Sequence, residues 1–166
     1  KKIPFSELHA IDHPANLYGT SKFGNEQIAA AYHNIHGLKS VGLRFFTVYG
    51  PWGRPDMALF RFADAMRAGR PVDVYNHGRM FRDFTYIDDV AEGVIRVLDK
   101  PATANPDYDP LHPDAATAAA PFRLFNIGNG QPTQLMDYIG ALERALGISA
   151  SMNMMEMQPG DVPATS

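Results

Sequence analysis

Apolar and polar residues follow one another along this chain with two periods, helical and alternating, and several changes of period fall on glycine, proline or helix-capping residues. Leu17 to His36 predicts an Ala-rich, well-packed helix, opened by Asn16 and closed by Gly37 at the C′ position. Val41 to Tyr49 is a mostly apolar run ended by Gly50-Pro51, which predicts one strand of a covered parallel sheet. Helix followed by such a strand implies a βαβ unit, yet nothing between Lys1 and Ala15 has the character of its first strand. Trp52 to Asp56 forms a loop at the carboxyl end of the strand, where open α/β sheets place their ligands.

Residues 57–69 predict a helix ending at Gly69, Val72 to Tyr75 a short strand, Asn76-His77-Gly78 a turn and Asp83 to Ile87 another strand. Asp88 is the expected cap of a helix whose Val90, Val94, Val97 and Leu98 form one apolar stripe. Pro101 to Pro121 has almost nothing to bury and reads as a surface loop or partly disordered insertion. Phe122 to Ile127 predicts a strand returning to the parallel sheet. Thr133 is the expected cap of a helix that turns Leu135, Ile139, Leu142 and Leu146 inward and stops at Gly147. Met152, Met154, Met155 and Met157 mark a last strand-like segment of pliable packing.

A length of 166 residues leaves room for one domain and little more, and 45% apolar residues suffice to give it a core. Fifteen Lys and Arg against eighteen Asp and Glu give a net charge of −3, without the basic excess a phosphate backbone demands, so nucleic acid is not an expected partner. The absence of cysteine excludes disulfides, a thiolate zinc site and a cysteine nucleophile, and is compatible with the cytoplasm, the expected compartment. No apolar run is long enough for a membrane span, and Lys1-Lys2 is followed by Pro4 and Glu7 and not by a leader-like stretch.

Tyr18 and Lys22 stand four apart and share one face of the first helix. A neighbouring ammonium favours a phenolate, which suits a tyrosine to exchange a proton with an alcohol. The same spacing also describes a lysine stem packed on a ring. The six histidines, at 9, 13, 33, 36, 77 and 112, show no metal spacing, and His33 and His36 suit the negative end of the helix dipole. Asp88-Asp89 could form an acid pair, but capping accounts for Asp88.

The order of elements, with Tyr18-x-x-x-Lys22, then Leu43 to Pro51, then Arg82-Asp83-Phe84-Thr85-Tyr86-Ile87-Asp88-Asp89-Val90, resembles the extended short-chain dehydrogenase/reductase family. The run from Phe46 to Ala58 and the turn Asp73 to Gly78 are similar to its UDP-glucuronate 4-epimerase subgroup. The resemblance implies an α/β fold, the carboxyl-terminal part of a doubly wound, Rossmann-like parallel sheet with a small nucleotide-sugar-binding lobe. Residues 1–50 and 122–147 would belong to the dinucleotide-binding part, and 51–121 and 148–166 to the lobe. The chain has no G-x-G-x-x-G loop, and the family's Ser/Thr cluster would precede Lys1, so a fragment is expected.

The resemblance further implies Tyr18 as acid/base, Lys22 as its electrostatic partner and ribose ligand, and Phe45 beside the nicotinamide of NAD. Hydride would leave sugar C4, the 4-keto sugar would rotate, and hydride would return to the other face. Thr47 and Arg54 would meet the sugar carboxylate, Tyr75 the uracil, Arg82 the diphosphate and Asp161 a uridine ribose hydroxyl. Without the family, Arg54 reads as a solvated loop charge, Arg82 as a surface ion pair and Asp161 as a turn residue. Gln158 departs from the basic residue that many members of that family carry three positions before the aspartate. Other UDP- or dTDP-sugar epimerases, 4,6-dehydratases and a non-catalytic nucleotide-sugar-binding module remain alternatives, retention of Tyr18 and Lys22 arguing against the last. A homodimer is implied for the full-length parent.

Overall fold

The computed structural model describes residues 4–9, 14 and 16–166, so His13 and part of the opening segment lie outside the described residues. The described elements are helix α1 (Leu17–His36), strands β1 (Ser40–Phe45) and β2 (Thr47–Tyr49), α2 (Ala58–Arg67), β3 (Val72–Val74), β4 (Phe81–Tyr86), α3 (Ile87–Asp99), β5 (Phe122–Ile127), β6 (Pro132–Gln134), α4 (Leu135–Leu146) and β7 (Met152–Met154), with a 3₁₀ turn at Tyr75–Gly78. They divide into two compact units. The first holds the described residues up to Phe45 together with Asp88–Ile127, and the second holds Phe46–Ile87 and Gly128–Ser166.

In the first unit β1 and β5 run parallel, with Gly42 opposite Leu124. A side chain at position 42 would collide with Leu124 Cδ2, so glycine lets that leucine fill the sheet face. α1 begins as its sequence dictates: Asn16 Oδ1 accepts from the Gly19 N–H at 2.8 Å. Gly37 ends it in the left-handed conformation at φ 63°. The expected close packing of α1 is corrected. Only His33 is buried, whereas Leu17, Ile28 and Ile35 are exposed, because β1 and β5 cover just one turn-spaced row of the helix. His33 lies in the last turn of α1, as expected, but is buried; its ring packs 5.5 Å from Phe122 and Nδ1 donates to the Leu38 carbonyl at 3.1 Å. The α3 stripe is inward only in part: Val90 is buried and Leu98 is exposed. Asp88 lies inside the first turn of α3, since the helix already starts at Ile87, and its charge complements the positive helix end there.

Residues 101–121 form no helix or strand, as expected, but they do bury side chains: Ala102, Ala116 and Thr117 are in the interior. The reason is Asp114, whose carboxylate accepts from the backbone N–H of Ala116 and Thr117, each at 2.7 Å, and from the Thr117 hydroxyl at 2.6 Å. One acceptor-only side chain thus organises the turn that packs Ala116 against Phe122 and Leu124.

In the second unit β2, β4 and β6 form one sheet, β2 parallel and β6 antiparallel to β4, and β3 pairs with β7 in parallel. The single strand expected over 41–49 is therefore two strands, β1 and β2, parted at Phe46 and belonging to different units. Thr133 sits in β6 opposite Arg82 and caps nothing; α4 starts after Gln134, and Leu135 N–H is satisfied by the Met80 carbonyl at 2.8 Å. Val72, Val74, Ala65, Met66 and Ile139 form the core, and burial of their apolar surface is what chiefly holds α2 and α4 to β3.

Candidate functional site

Each unit carries part of the expected machinery. In the first, α1 presents Tyr18 and Lys22 on one face, as the i, i+4 spacing requires. Tyr18 is 70% exposed, and the Lys22 ammonium stands 5.2 Å from its ring centroid, a cation–π arrangement. The phenol end is thereby left at the helix surface. Glu26, one turn further, holds Arg44 of β1 through two hydrogen bonds of 2.7 Å, both side chains about one-fifth exposed. This fork explains the lone charge in an otherwise apolar strand and fastens α1 to the sheet. Phe45 ends β1 with its ring half-exposed.

In the second unit Arg82 and Asp161, 79 residues apart, meet at 3.0 Å. Burial pushes the Arg82 guanidinium below its usual value while the Asp161 carboxylate pulls it back up; a guanidinium stays charged throughout. Asp161 also accepts from the Val162 N–H at 2.8 Å, which orients it. Tyr75 opens the 3₁₀ turn, where Asn76 and His77 adopt the left-handed region at φ 50° and 51°. His77 is held by Glu156 through Nε2 at 2.9 Å and by its own N–H to the Met155 carbonyl, so this costly backbone is fixed from two sides. Thr47 opens β2 opposite Phe84. Arg54 lies in the loop after β2, with Nε and Nη2 each 3.2 Å from an oxygen of Asp56.

One functional group escaped the sequence reading. Asp83 is fully buried on β4, and its two oxygens accept from the backbone N–H of Asn129 at 2.9 Å and Gly130 at 2.8 Å. A Cβ at Gly128 would approach Asp83 Oδ2 to 2.8 Å and Phe46 Cδ2 to 2.5 Å, so glycine there admits the carboxylate. The clamp fixes the turn into β6, the strand paired with Arg82. The available signal was an acidic residue at the strand position that alternates with Arg82 and Phe84 and so points to the opposite face of β4.

The structure thus pairs Tyr18 with Lys22, and Arg82 with Asp161. A cavity of about 340 Å³ in the first unit, lined by Val41, Lys100, Asn105, Arg123 and Phe125 among others, contains none of the expected site residues. Among the described residues no group of three His, Asp or Glu could hold a metal ion, and no helix is long and apolar enough to cross a membrane.

Residues 1–109 match the NAD dependent epimerase/dehydratase family. The chain belongs to that family. Its relatives include a probable UDP-glucuronate 4-epimerase of Rhizobium meliloti, 47% identical over 99% of this chain and 49% of that protein. An uncharacterized 37.6 kDa protein of Escherichia coli O111:H- is 54% identical over 100% of this chain and 50% of its own length. The chain spans about half the length of these relatives. Among solved structures, the UDP-glucuronic acid 4-epimerase of Bacillus cereus, crystallised with UDP-glucuronic acid and NAD, superposes with a TM-score of 0.81 at 31% identity, over 99% of this chain and 47% of that one. The Rossmann-like α/β class expected from the sequence is the class of this epimerase family.

Proposed function

We propose that the whole protein interconverts UDP-glucuronate and UDP-galacturonate at C4 with NAD as cofactor, and that this chain supplies its proton-transfer pair and its UDP-sugar contacts. The observation that carries this reading is Tyr18 standing exposed on α1 beneath the Lys22 ammonium. Tyr18 would take the proton of the sugar 4-hydroxyl and later return it, with the Lys22 ammonium standing 5.2 Å from its ring centroid. An exposed ammonium and the half-exposed Phe45 ring fit the ribose and nicotinamide end of NAD. NAD, when bound there, would supply the hydride acceptor and donor for sugar C4.

In the lobe, Arg82 would neutralise the diphosphate and Asp161 would bind a ribose hydroxyl. Their 3.0 Å pairing supports this reading, because the diphosphate and ribose of UDP are covalent neighbours. Tyr75 would border the uracil, and Thr47 and Arg54 would hold the C6 carboxylate, for which a planar guanidinium is suited. By role, residues 1–50 and 122–147 serve the dinucleotide-binding part and 51–121 and 148–166 the sugar lobe, in an enzyme that works as a homodimer. The experiment is Tyr18→Phe in the whole protein, which removes the transferable proton and keeps the ring. Turnover is expected to fall roughly 100- to 10,000-fold with UDP-glucuronate affinity nearly unchanged. Retention of more than about half the activity would refute the assignment.

A further inference from the structure

We propose that Asp56 is a specificity-determining residue: its carboxylate occupies the Arg54 fork and must be displaced by the carboxylate of an acidic sugar. The inference rests on the assignment of Arg54 to that sugar carboxylate. Nε and Nη2 of Arg54 each lie 3.2 Å from a different oxygen of Asp56, the two-pronged geometry in which a guanidinium grips any carboxylate. Asp56 is thus a chemical stand-in for the C6 carboxylate of a hexuronate, and one fork cannot hold both in this manner.

The loop is built to keep the two side chains together. Gly50 and Trp52 take positive φ of 136° and 63°, and the Met57 N–H bonds back to the Arg54 carbonyl at 3.1 Å, closing a turn around Asp56. Arg54 Nη2 also touches Met57 Sδ at 3.5 Å, so the guanidinium is drawn toward the start of α2. Both charged side chains are more than two-thirds exposed, so water competes for them and the pair is weak enough to be exchanged. A displaced Asp56 has a destination close by. α2 starts at Ala58 with Met57 at the cap, which gives no side-chain hydrogen bond, and no acidic residue lies in the first turn. The partial positive charge of that helix end favours the released carboxylate.

A neutral sugar never requires this exchange, so Asp56 selectively moderates the binding of acidic ones. It also keeps the fork closed to stray monocarboxylates, which lack the nucleotide contacts that help a substrate to displace it.

The test compares the affinities of UDP-glucuronate and UDP-glucose for the whole wild-type protein, Asp56→Asn, Arg54→Ala and the double variant. Asp56→Asn is expected to tighten UDP-glucuronate by about two- to fivefold, the range of an exposed ion pair, and to leave UDP-glucose unchanged. In the Arg54→Ala background the same substitution should have no effect, because the fork is gone. Unchanged UDP-glucuronate affinity in Asp56→Asn, equal tightening toward both sugars, or tightening that persists without Arg54 would each overturn the proposal, the last by showing plain charge repulsion. The reading beneath it fails in a different way. If Arg54→Ala weakens both sugars equally, the carboxylate assignment falls and this inference falls with it; if it weakens only the acidic sugar while Asp56→Asn is silent, the assignment stands and the inference alone is refuted.

Discussion

Tyr138 on α4 stacks face to face on Phe84 of β4, ring centroids 4.7 Å apart and planes 8° from parallel. Burial of its phenol pushes the pKa up to about 12, since the phenolate would lose its hydration. The unfolded chain gives up this proton near pH 10, so this contribution to stability is whole below that value and is lost as pH climbs from about 10 to about 12. Urea midpoints measured between about pH 9 and about pH 11 should therefore fall more for the wild type than for Tyr138→Phe, and parallel declines would contradict the assignment. Residues differ sharply in how far their roles were legible in advance. Asn16, Gly37 and Gly147 act on their own neighbours, so their capping roles follow from local chemistry alone. Asp83 acts on backbone groups 46 and 47 residues away, which no local pattern contains. Arg82 and Asp161 were singled out separately through family likeness, and their pairing across 79 residues is seen only in the structure.

At the level of elements, helices were legible within a residue or two because their periodicity is local, whereas strands depended on partners the sequence does not name. The break at Phe46 is invisible in a run that stays apolar throughout, and it exists because β1 pairs with β5 while β2 pairs with β4. Thr133 failed as a cap for the same reason: pairing with β4 claims its backbone. Two elements are left open among the described residues. β1 has β5 on one side and no strand on the other, and α1 exposes Leu17, Ile28, Tyr32 and Ile35. An unpaired edge beside an apolar helix face favours self-association. Sedimentation of this chain alone should show concentration-dependent oligomers, reduced by Ile28→Glu with Ile35→Glu, and a clean monomer at high concentration would count against this expectation.

For the whole molecule the governing fact is that the chain carries Tyr18 and Lys22 but no glycine-rich phosphate loop. Dinucleotides draw much of their affinity from backbone N–H groups at such a loop and the helix that follows it. This chain by itself should accordingly bind NAD⁺ only weakly and turn over no UDP-sugar. Calorimetry that found micromolar NAD⁺ affinity would show that anchorage comes from elsewhere in the fold. The Asp83 clamp bears on a further property of the molecule, its chemical lifetime. Asn129-Gly130 is the kind of dipeptide that ages fastest, because an unhindered glycine nitrogen can attack the asparagine side chain, close a succinimide and open to isoaspartate. Here that nitrogen donates its hydrogen to Asp83 Oδ2 at 2.8 Å, and the neighbouring N–H is held by Oδ1. The attacking atom is both engaged and immobilised, so a carboxylate buried for the sake of a turn also slows the turn's decay.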